Sequence, residues 1–192
     1  MSEFGPAIQK TLAAEGGYVD RSATTGEVVN MGLTCEFLRG IGFLGNPPAS
    51  GPCTEGEKQV IKSLSVVIAM QLYDKYIWEP RLCGKINDQT VAAKFFDLSV
   101  NEGSAKIAGR WVPEATVVLQ RAINDARASS QDAPLVVDGI IGPATIAAAN
   151  ACDPAILMAS IRSEGAAVYF EIDIANPQDD QFLPDWLARL NS

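Results

Sequence analysis

The balance of helical and strand patterning constrains the fold of this chain more than any other feature. Apolar residues recur at helical spacing near the N-terminus and over most of the chain beyond residue 54. Strand-like composition is confined to residues 18–33, which are rich in Gly, Thr, Ser and Val, with Gly26 as a predicted turn. We therefore expect a mainly α fold with a small β-hairpin or loop near residues 17–33.

Capping signals predict where several helices begin. Residues 54–57, Thr-Glu-Gly-Glu, form a capping box in which the Thr and Glu side chains satisfy each other's backbone donors, so a long helix should run from there to about Trp78. Asn87 should cap the next helix. Proline at a first helical position predicts two further helices, which begin at Pro143 and Pro154. The other helices are expected at about 6–14, 35–41, 113–126 and 183–190.

The sequence contains no histidine. Ser-His-Asp and Cys-His nucleophile systems both need an imidazole base, so both classes of enzyme are excluded. A zinc site would have to be built from cysteine and carboxylate ligands alone. Acid–base chemistry at neutral pH therefore falls mainly to Asp, Glu, Lys, Tyr or Cys, and we expect neither a metal nor a cofactor.

Charge and cysteine content narrow the range of partners. The formal net charge is −8 and no basic stripe is visible, so no nucleic-acid partner is expected. The four cysteines, Cys35, Cys53, Cys83 and Cys152, form no C-x-x-C pair. Their pattern allows two disulfides, although buried thiols are the simpler interpretation.

The first residues carry neither a basic segment nor an apolar core, so we expect synthesis in the cytoplasm without a signal peptide. The longest apolar stretch, residues 66–70, is far shorter than the roughly 20 residues that a membrane span needs. We therefore expect no membrane span.

Glu15 is the first candidate for chemistry. It follows three apolar residues at the predicted end of the first helix, and two glycines after it would let a substrate approach the backbone closely. Apolar surroundings can keep a carboxyl group protonated near neutral pH, which makes it a general acid. From these residues alone, a solvated carboxylate at a helix end is the simpler interpretation.

Residues 15–19, Glu-Gly-Gly-Tyr-Val, resemble the opening of glycoside hydrolase family 108, the N-acetylmuramidase family. More residues fall at the family's spacing without a gap: Gly26, Asn30, Gly32, Leu33 and Thr34. Later segments resemble the family in order: Tyr73, Tyr76 and Trp78, then residues 95–103. Residues 119–122, 138–142 and 186–189 resemble the companion segment called a predicted peptidoglycan domain and the family's closing motif.

The resemblance implies a single lysozyme-like helical domain over residues 1–192, with a catalytic segment at about 1–102 and a companion peptidoglycan segment at about 103–192. It also implies cleavage of the β-1,4 bond between N-acetylmuramic acid and N-acetylglucosamine, with Glu15 as catalytic acid. Two alternatives stay open: a non-catalytic peptidoglycan-binding or virion structural protein on the same scaffold, and a lytic transglycosylase.

The chain departs from the family pattern around its second catalytic group. The family's loop aspartate is Thr24 here, and Glu27 replaces a loop glycine. Thr24 can hydrogen-bond a water molecule but cannot act as a base or a counter-charge. Three interpretations follow: Asp20 or Glu27 has taken over, Glu15 works with a polar loop that includes Thr24, or activity is weak.

Four residues are candidates for substrate binding: Tyr18, Asn30, Thr34 and Asn101. Tyr18 can line a sugar groove or pack under the hairpin, and Asn101 can bind an N-acetyl group or cap its helix end. The expected partner is peptidoglycan, bound by a monomer, with delivery machinery or an immunity protein as further partners. The protein would act in the periplasm or cell wall after holin-type or secretion-system delivery.

Overall fold

A computed structural model describes residues 1–22, 27–45, 51–101, 104–107, 110–130 and 132–192, without the side chains of 104–107, 110–113 and 178–180. The fold is mainly α with a small antiparallel sheet, as the sequence predicts. The chain divides into two compact units. The first unit is Ile8–Ile77, and the second unit is Met1–Ala7 together with Trp78–Ser192. The division at about residue 102 that the resemblance implies stays a prediction.

The first unit surrounds a three-stranded sheet. The helix α1 (Phe4–Glu15) leads into β1 (Val19–Arg21), β2 (Glu27–Asn30) and β3 (Leu33–Thr34), which pair antiparallel in the order β1-β2-β3. Three helices follow: α2 (Cys35–Gly40), α3 (Glu55–Lys62) and α4 (Val66–Tyr73), with a π-helical turn at Asp74–Trp78. The core of this unit contains fully buried residues of α1, β2, β3, α2 and α3: Ile8, Val28, Leu33, Leu38 and Ile61.

The prediction of one long helix from residue 54 to Trp78 is wrong, because the helix stops at Lys62 and restarts at Val66. The Ser63 hydroxyl donates to the Val60 carbonyl at 2.9 Å, and the Ser65 side chain caps α4 by accepting from the Ile68 N–H at 3.3 Å. Serine side chains offer the backbone local partners that compete with helix continuation. Apolar periodicity alone did not reveal this break.

The second unit contains the remaining elements. Its helices are α5 (Gln89–Asn101), α6 (Glu114–Ala126), α7 (Pro143–Ala151), α8 (Pro154–Ala175) and α9 (Leu183–Asn191), with 3-10 turns at Cys83–Lys85 and Pro177–Phe182. The predicted starts at Pro143 and Pro154 are confirmed. No single described helix is long and apolar enough to cross a membrane. The bent pair of α7 and α8 is long and apolar enough only when the two helices are taken together.

Two predictions for the second unit are wrong. Asp88, and not Asn87, caps α5, since its Oδ1 accepts from the Thr90 and Val91 N–H groups at 2.9 and 3.0 Å. Strand structure is also not confined to residues 18–33, because β4 (Ser104–Ile107) and β5 (Arg110–Pro113) pair as a second antiparallel hairpin. Four-residue strands carry too little alternation to stand out from the helical patterns on either side.

Buried polar residues tie the second unit together. The Gln120 amide donates to Asp138 Oδ1 at 2.8 Å, and its oxygen accepts from the Asp138 and Gly139 N–H groups at 3.0 and 2.8 Å. Arg189 of α9 pairs with Asp97 of α5, with Nη2 at 2.9 Å from Oδ1. These side-chain bonds hold the 138–139 turn and the last helix against the helical core.

Candidate active site

The Glu15 carboxylate lies against the turn that joins β2 to β3. Gly32 occupies this turn at φ +77°, which is in the left-handed region. A Cβ added at Gly32 would lie 2.5 Å from Glu15 Oε2 and would also collide with the Tyr73 hydroxyl. The carboxylate and the phenol therefore meet at the same stretch of backbone, and only a glycine leaves room for both.

Tyr73 is the residue that sequence reasoning left without a role. Its side chain is buried at the end of α4, and its hydroxyl donates to the Met31 carbonyl at 2.9 Å. A buried tyrosine hydroxyl usually finds such a partner, and here the bond holds the turn that carries Gly32. The available signal was a tyrosine at the end of the mostly apolar segment 66–73, because a hydroxyl buried there needs a hydrogen-bond partner.

The backbone that follows Glu15 is exposed. Gly16 follows α1 at φ +70°, and a Cβ added at Gly16 or Gly17 would meet no atom of the described residues within 4 Å. Both glycines are exposed, whereas Glu15 is half-buried. This backbone is accessible from solvent, and the close approach of a substrate to it stays a prediction.

Asp20 lies in a polar cluster on β1. Its Oδ1 accepts from the Ser22 N–H at 2.9 Å, and its Oδ2 lies 3.4 Å from Lys58 Nζ on α3. Hydrogen bonds from Ser22, and then the charge of Lys58, lower the pKa of the Asp20 carboxyl below its usual value. Lys58 is itself held by Ser22 Oγ at 2.9 Å and Glu55 Oε1 at 2.7 Å. Asp20 is therefore a carboxylate that stays ionised at neutral pH.

Glu27 has different surroundings. It is exposed, as Asp20 is, but its partner is an arginine of β1, with Glu27 Oε2 3.4 Å from Arg21 Nη1. In the strand register, Asp20 pairs with Val28 and Arg21 pairs with Glu27, and neighbouring positions along a strand point to opposite faces. Asp20 and Glu27 therefore occupy opposite faces of the sheet. Thr24 lies outside the described residues.

The predicted substrate-binding residues carry internal contacts. The Asn30 amide is buried and donates to the Ile61 carbonyl at 2.8 Å, and Thr34 Oγ1 caps α2 by accepting from the Phe37 N–H at 3.1 Å. Lys62 Nζ lies 5.7 Å from the centre of the Tyr18 ring. In the second unit, the Asn101 amide donates to the carbonyl four residues earlier at 3.1 Å. Substrate contacts by these four residues stay predictions.

Comparison with known proteins identifies the two parts of the chain. The model for Glycosyl hydrolase 108 matches residues 8–103, and the model for the Predicted Peptidoglycan domain matches residues 114–191. No curated protein sequence matches the chain.

Among solved structures, the chain is similar to the one described as Structure of Brucella abortus SagA, with a TM-score of 0.68 and 20% sequence identity. The match covers 98% of this chain and 89% of that chain, and it shows a shared fold. Since the glycosyl hydrolase model spans half of the sequence and the second model names peptidoglycan, the chain belongs to glycosyl hydrolase family 108 and is a hydrolase that acts on peptidoglycan.

Proposed function

We propose that this protein is a muramidase of the lysozyme type, active as a monomer, which cleaves the β-1,4 bond between N-acetylmuramic acid and N-acetylglucosamine. Glu15 is the general acid that protonates the leaving oxygen. One observation carries the proposal: in the part of the chain that matches the family, the Glu15 carboxylate is packed against Gly32 and beside the Tyr73 hydroxyl. The turn fixes one side of the Glu15 side chain, and the backbone that follows Glu15 is exposed. A carboxyl group held in this way is suited to donating a proton to a bound substrate.

Tyr73 is a positioning residue in this proposal. Its hydrogen bond to the Met31 carbonyl fixes the β2–β3 turn. The backbone of this turn at Gly32 then limits where the Glu15 carboxylate can lie. Holding a reacting group in one geometry contributes to rate because small displacements are costly in catalysis. Tyr73 therefore acts on the reaction through Glu15.

Asp20 is our choice for the second catalytic group. Glycoside hydrolysis uses an ionised carboxylate to stabilise the oxocarbenium-like state or to orient water, and the pKa of Asp20 is lowered by its contacts with Ser22 and Lys58. Glu27 is paired with Arg21 and lacks the Ser22 hydrogen bonds and the lysine contact that hold Asp20, which makes it the weaker candidate. Comparison of Asp20→Asn with Glu27→Gln tests this choice, because only the former should lose most of the turnover.

The deciding experiment is digestion of purified peptidoglycan, followed by measurement of new reducing ends and by mass spectrometry of the products. We expect Glu15→Gln to lose roughly 100- to 10,000-fold in rate, the range that a general acid supplies. Glu36→Gln is the matched control, since Glu36 is an exposed glutamate in the first turn of α2 and should leave the rate unchanged.

Three outcomes would overturn the proposal. Equal turnover by wild type and Glu15→Gln would remove Glu15 as the acid. Anhydro ends in the products would identify a lytic transglycosylase. Sedimentation with insoluble peptidoglycan without any product would identify a binding or virion structural protein.

We propose in addition that this cleavage lyses bacterial cells, as an endolysin or a delivered toxin would. Expression in a bacterial host with an added periplasmic leader should cause lysis, whereas the same protein without the leader should not. Glu15→Gln with the leader is the control for toxicity that comes from export alone, and lysis by that variant would contradict the proposal.

A further inference from the structure

Two cysteines meet where α2 and α3 begin. Cys35 is the first residue of α2, and Cys53 directly precedes Thr54, whose side chain caps α3. Both are thiols and both are buried, with Sγ atoms 2.6 Å apart. The sequence separation of 18 residues means that the fold, and not local geometry, brings the two sulfur atoms together.

An ion pair holds the segment that carries Cys53 against α2. Arg39 Nε lies 2.7 Å from Glu57 Oε1, and Arg39 Nη2 lies 2.8 Å from Oε2, so the pair is bidentate. The same guanidinium donates to the carbonyls of Gly51 and Pro52 at 2.7 and 3.0 Å. The two residues before Cys53 are thus fixed to α2 by bonds that do not involve sulfur, and the thiols are placed together before any reaction.

We propose that Cys35 and Cys53 form a disulfide bond when the protein is in an oxidising compartment. Each thiol loses its proton, one Sγ–Sγ bond forms, and the two electrons reduce the disulfide of an oxidant such as oxidised glutathione or a disulfide-bearing oxidoreductase to two thiols. The bond links the start of α2 to the start of α3 and closes the loop between them. This inference depends on the geometry of the first unit and not on the proposed glycosidase activity.

The alternative of a metal site fits the same residues less well. Cys35, Cys53 and Glu57 offer ligand atoms within 4.8 Å of one another. Both oxygens of Glu57 are already bonded to Arg39, and Oε2 also accepts from the Thr54 N–H at 2.7 Å. Two thiolates beside a guanidinium would then remain, whereas a structural zinc site takes four ligands.

A role as a catalytic dithiol is also unsuited to this pair. Burial, and then the hydrogen bond with Cys35, raises the pKa of the Cys53 thiol to about 12. Catalytic dithiols depend on an exposed thiolate with a lowered pKa. The pair is therefore a structural crosslink that forms once, during folding or export.

The test is refolding of the wild-type chain from the reduced, unfolded state in a glutathione redox buffer, followed by alkylation, digestion and mass spectrometry. We expect one crosslinked peptide that contains Cys35 and Cys53, while Cys83 and Cys152 stay alkylated thiols. The oxidised protein should have a Tm roughly 6–12 °C above that of the reduced protein, as a loop of this size predicts.

Paired variants keep the result interpretable. Cys35→Ser with Cys53→Ser should show no Tm difference between oxidising and reducing buffer, whereas Cys83→Ser with Cys152→Ser should keep the full difference. Four alkylated thiols after oxidative refolding, a crosslink that includes Cys83 or Cys152, or stoichiometric zinc that protects the Cys35 and Cys53 thiols would each overturn the proposal. None of these measurements uses peptidoglycan, so loss of turnover in Glu15→Gln and loss of the crosslink are separate outcomes.

Discussion

Gly32→Ala probes the contact between Glu15 and the β2–β3 turn. The added methyl group would lie 2.5 Å from Glu15 Oε2 and would also meet the Tyr73 hydroxyl, so at least one of these side chains must move. If the turn sets the position of the catalytic acid, this single substitution should damage both folding stability and turnover.

The stability cost has two parts. Placing alanine at φ +77° costs roughly 1–2 kcal/mol from backbone strain. Displacing the buried Tyr73 hydroxyl breaks its bond to the Met31 carbonyl, and an unsatisfied buried polar group costs about 1–3 kcal/mol. We therefore expect the free energy of unfolding to fall by roughly 2–5 kcal/mol. Turnover should fall by roughly 100-fold, because a catalytic group moved by about 1 Å loses that much rate.

The chain supplies a matched control in Gly42→Ala. Gly42 follows α2 at φ +74°, nearly the same backbone conformation, and a Cβ added there meets no atom within 4 Å among the residues that the structure describes. This variant carries the backbone strain without the collision, so it should lose about 1–2 kcal/mol of stability and keep wild-type turnover. Urea unfolding followed by circular dichroism gives the stabilities, and release of reducing ends gives the rates. If the two variants match in both measurements, Gly32 does not position Glu15.

Three further predictions concern the same unit. Tyr73→Phe should cost about 1–3 kcal/mol in urea unfolding and lower kcat with little change in KM, because it loosens the turn without touching the substrate. Arg39→Lys should lower the urea midpoint of unfolding, since lysine keeps the charge but cannot hold both Glu57 oxygens and the Gly51 and Pro52 carbonyls at once. In the folded protein the Arg39 bond lowers the pKa of Glu57 to about 2, so the pair's stabilisation is present above about pH 4.5 and is lost as the pH falls toward 2. Lys58→Met should move the acid limb of the pH–activity profile to higher pH, because Lys58 helps to lower the pKa of Asp20.

Each of these three predictions can fail clearly. A kcat equal to wild type in Tyr73→Phe would leave the tyrosine with a packing role alone. Wild-type acid unfolding in Arg39→Lys would mean that Glu57 does not govern this pH range. An acid limb that moves equally in Lys10→Met, which removes an exposed lysine of α1, would attribute the Lys58 effect to net charge.

Local signals predicted the helix starts well. The capping box at residues 54–57 and the prolines at 143 and 154 begin helices as expected, because each device acts within a single turn of chain. The break at residues 63–65 and the cap at Asp88 were missed for a related reason. Several polar residues near a boundary can each cap a helix, and packing of the neighbouring apolar residues decides which one does.

The sequence named candidates for the site, whose roles stay predictions, but it did not reveal their surroundings. Glu15, Asp20 and Glu27 were all singled out from sequence, but their separate partners were not, because each partner comes from another element. Tyr73 reaches the turn from α4, and Lys58 reaches Asp20 from α3. Such contacts depend on tertiary packing, which spacing along the chain does not encode.

The hairpin residues that resemble the family have structural roles, and these roles involve Glu15 but not the second catalytic group. The Asn30 amide ties the sheet to α3, Thr34 caps α2, and Gly32 leaves the space that Glu15 and Tyr73 fill. A resemblance at these positions therefore supports the placement of Glu15 and is silent on the second carboxylate. That group has to be inferred from charge, and Asp20 is the candidate whose contacts lower its pKa. Asp20→Asn is consequently the variant that tests the mechanism on an intact scaffold. It removes the charge of the carboxylate and leaves all three of these contacts in place.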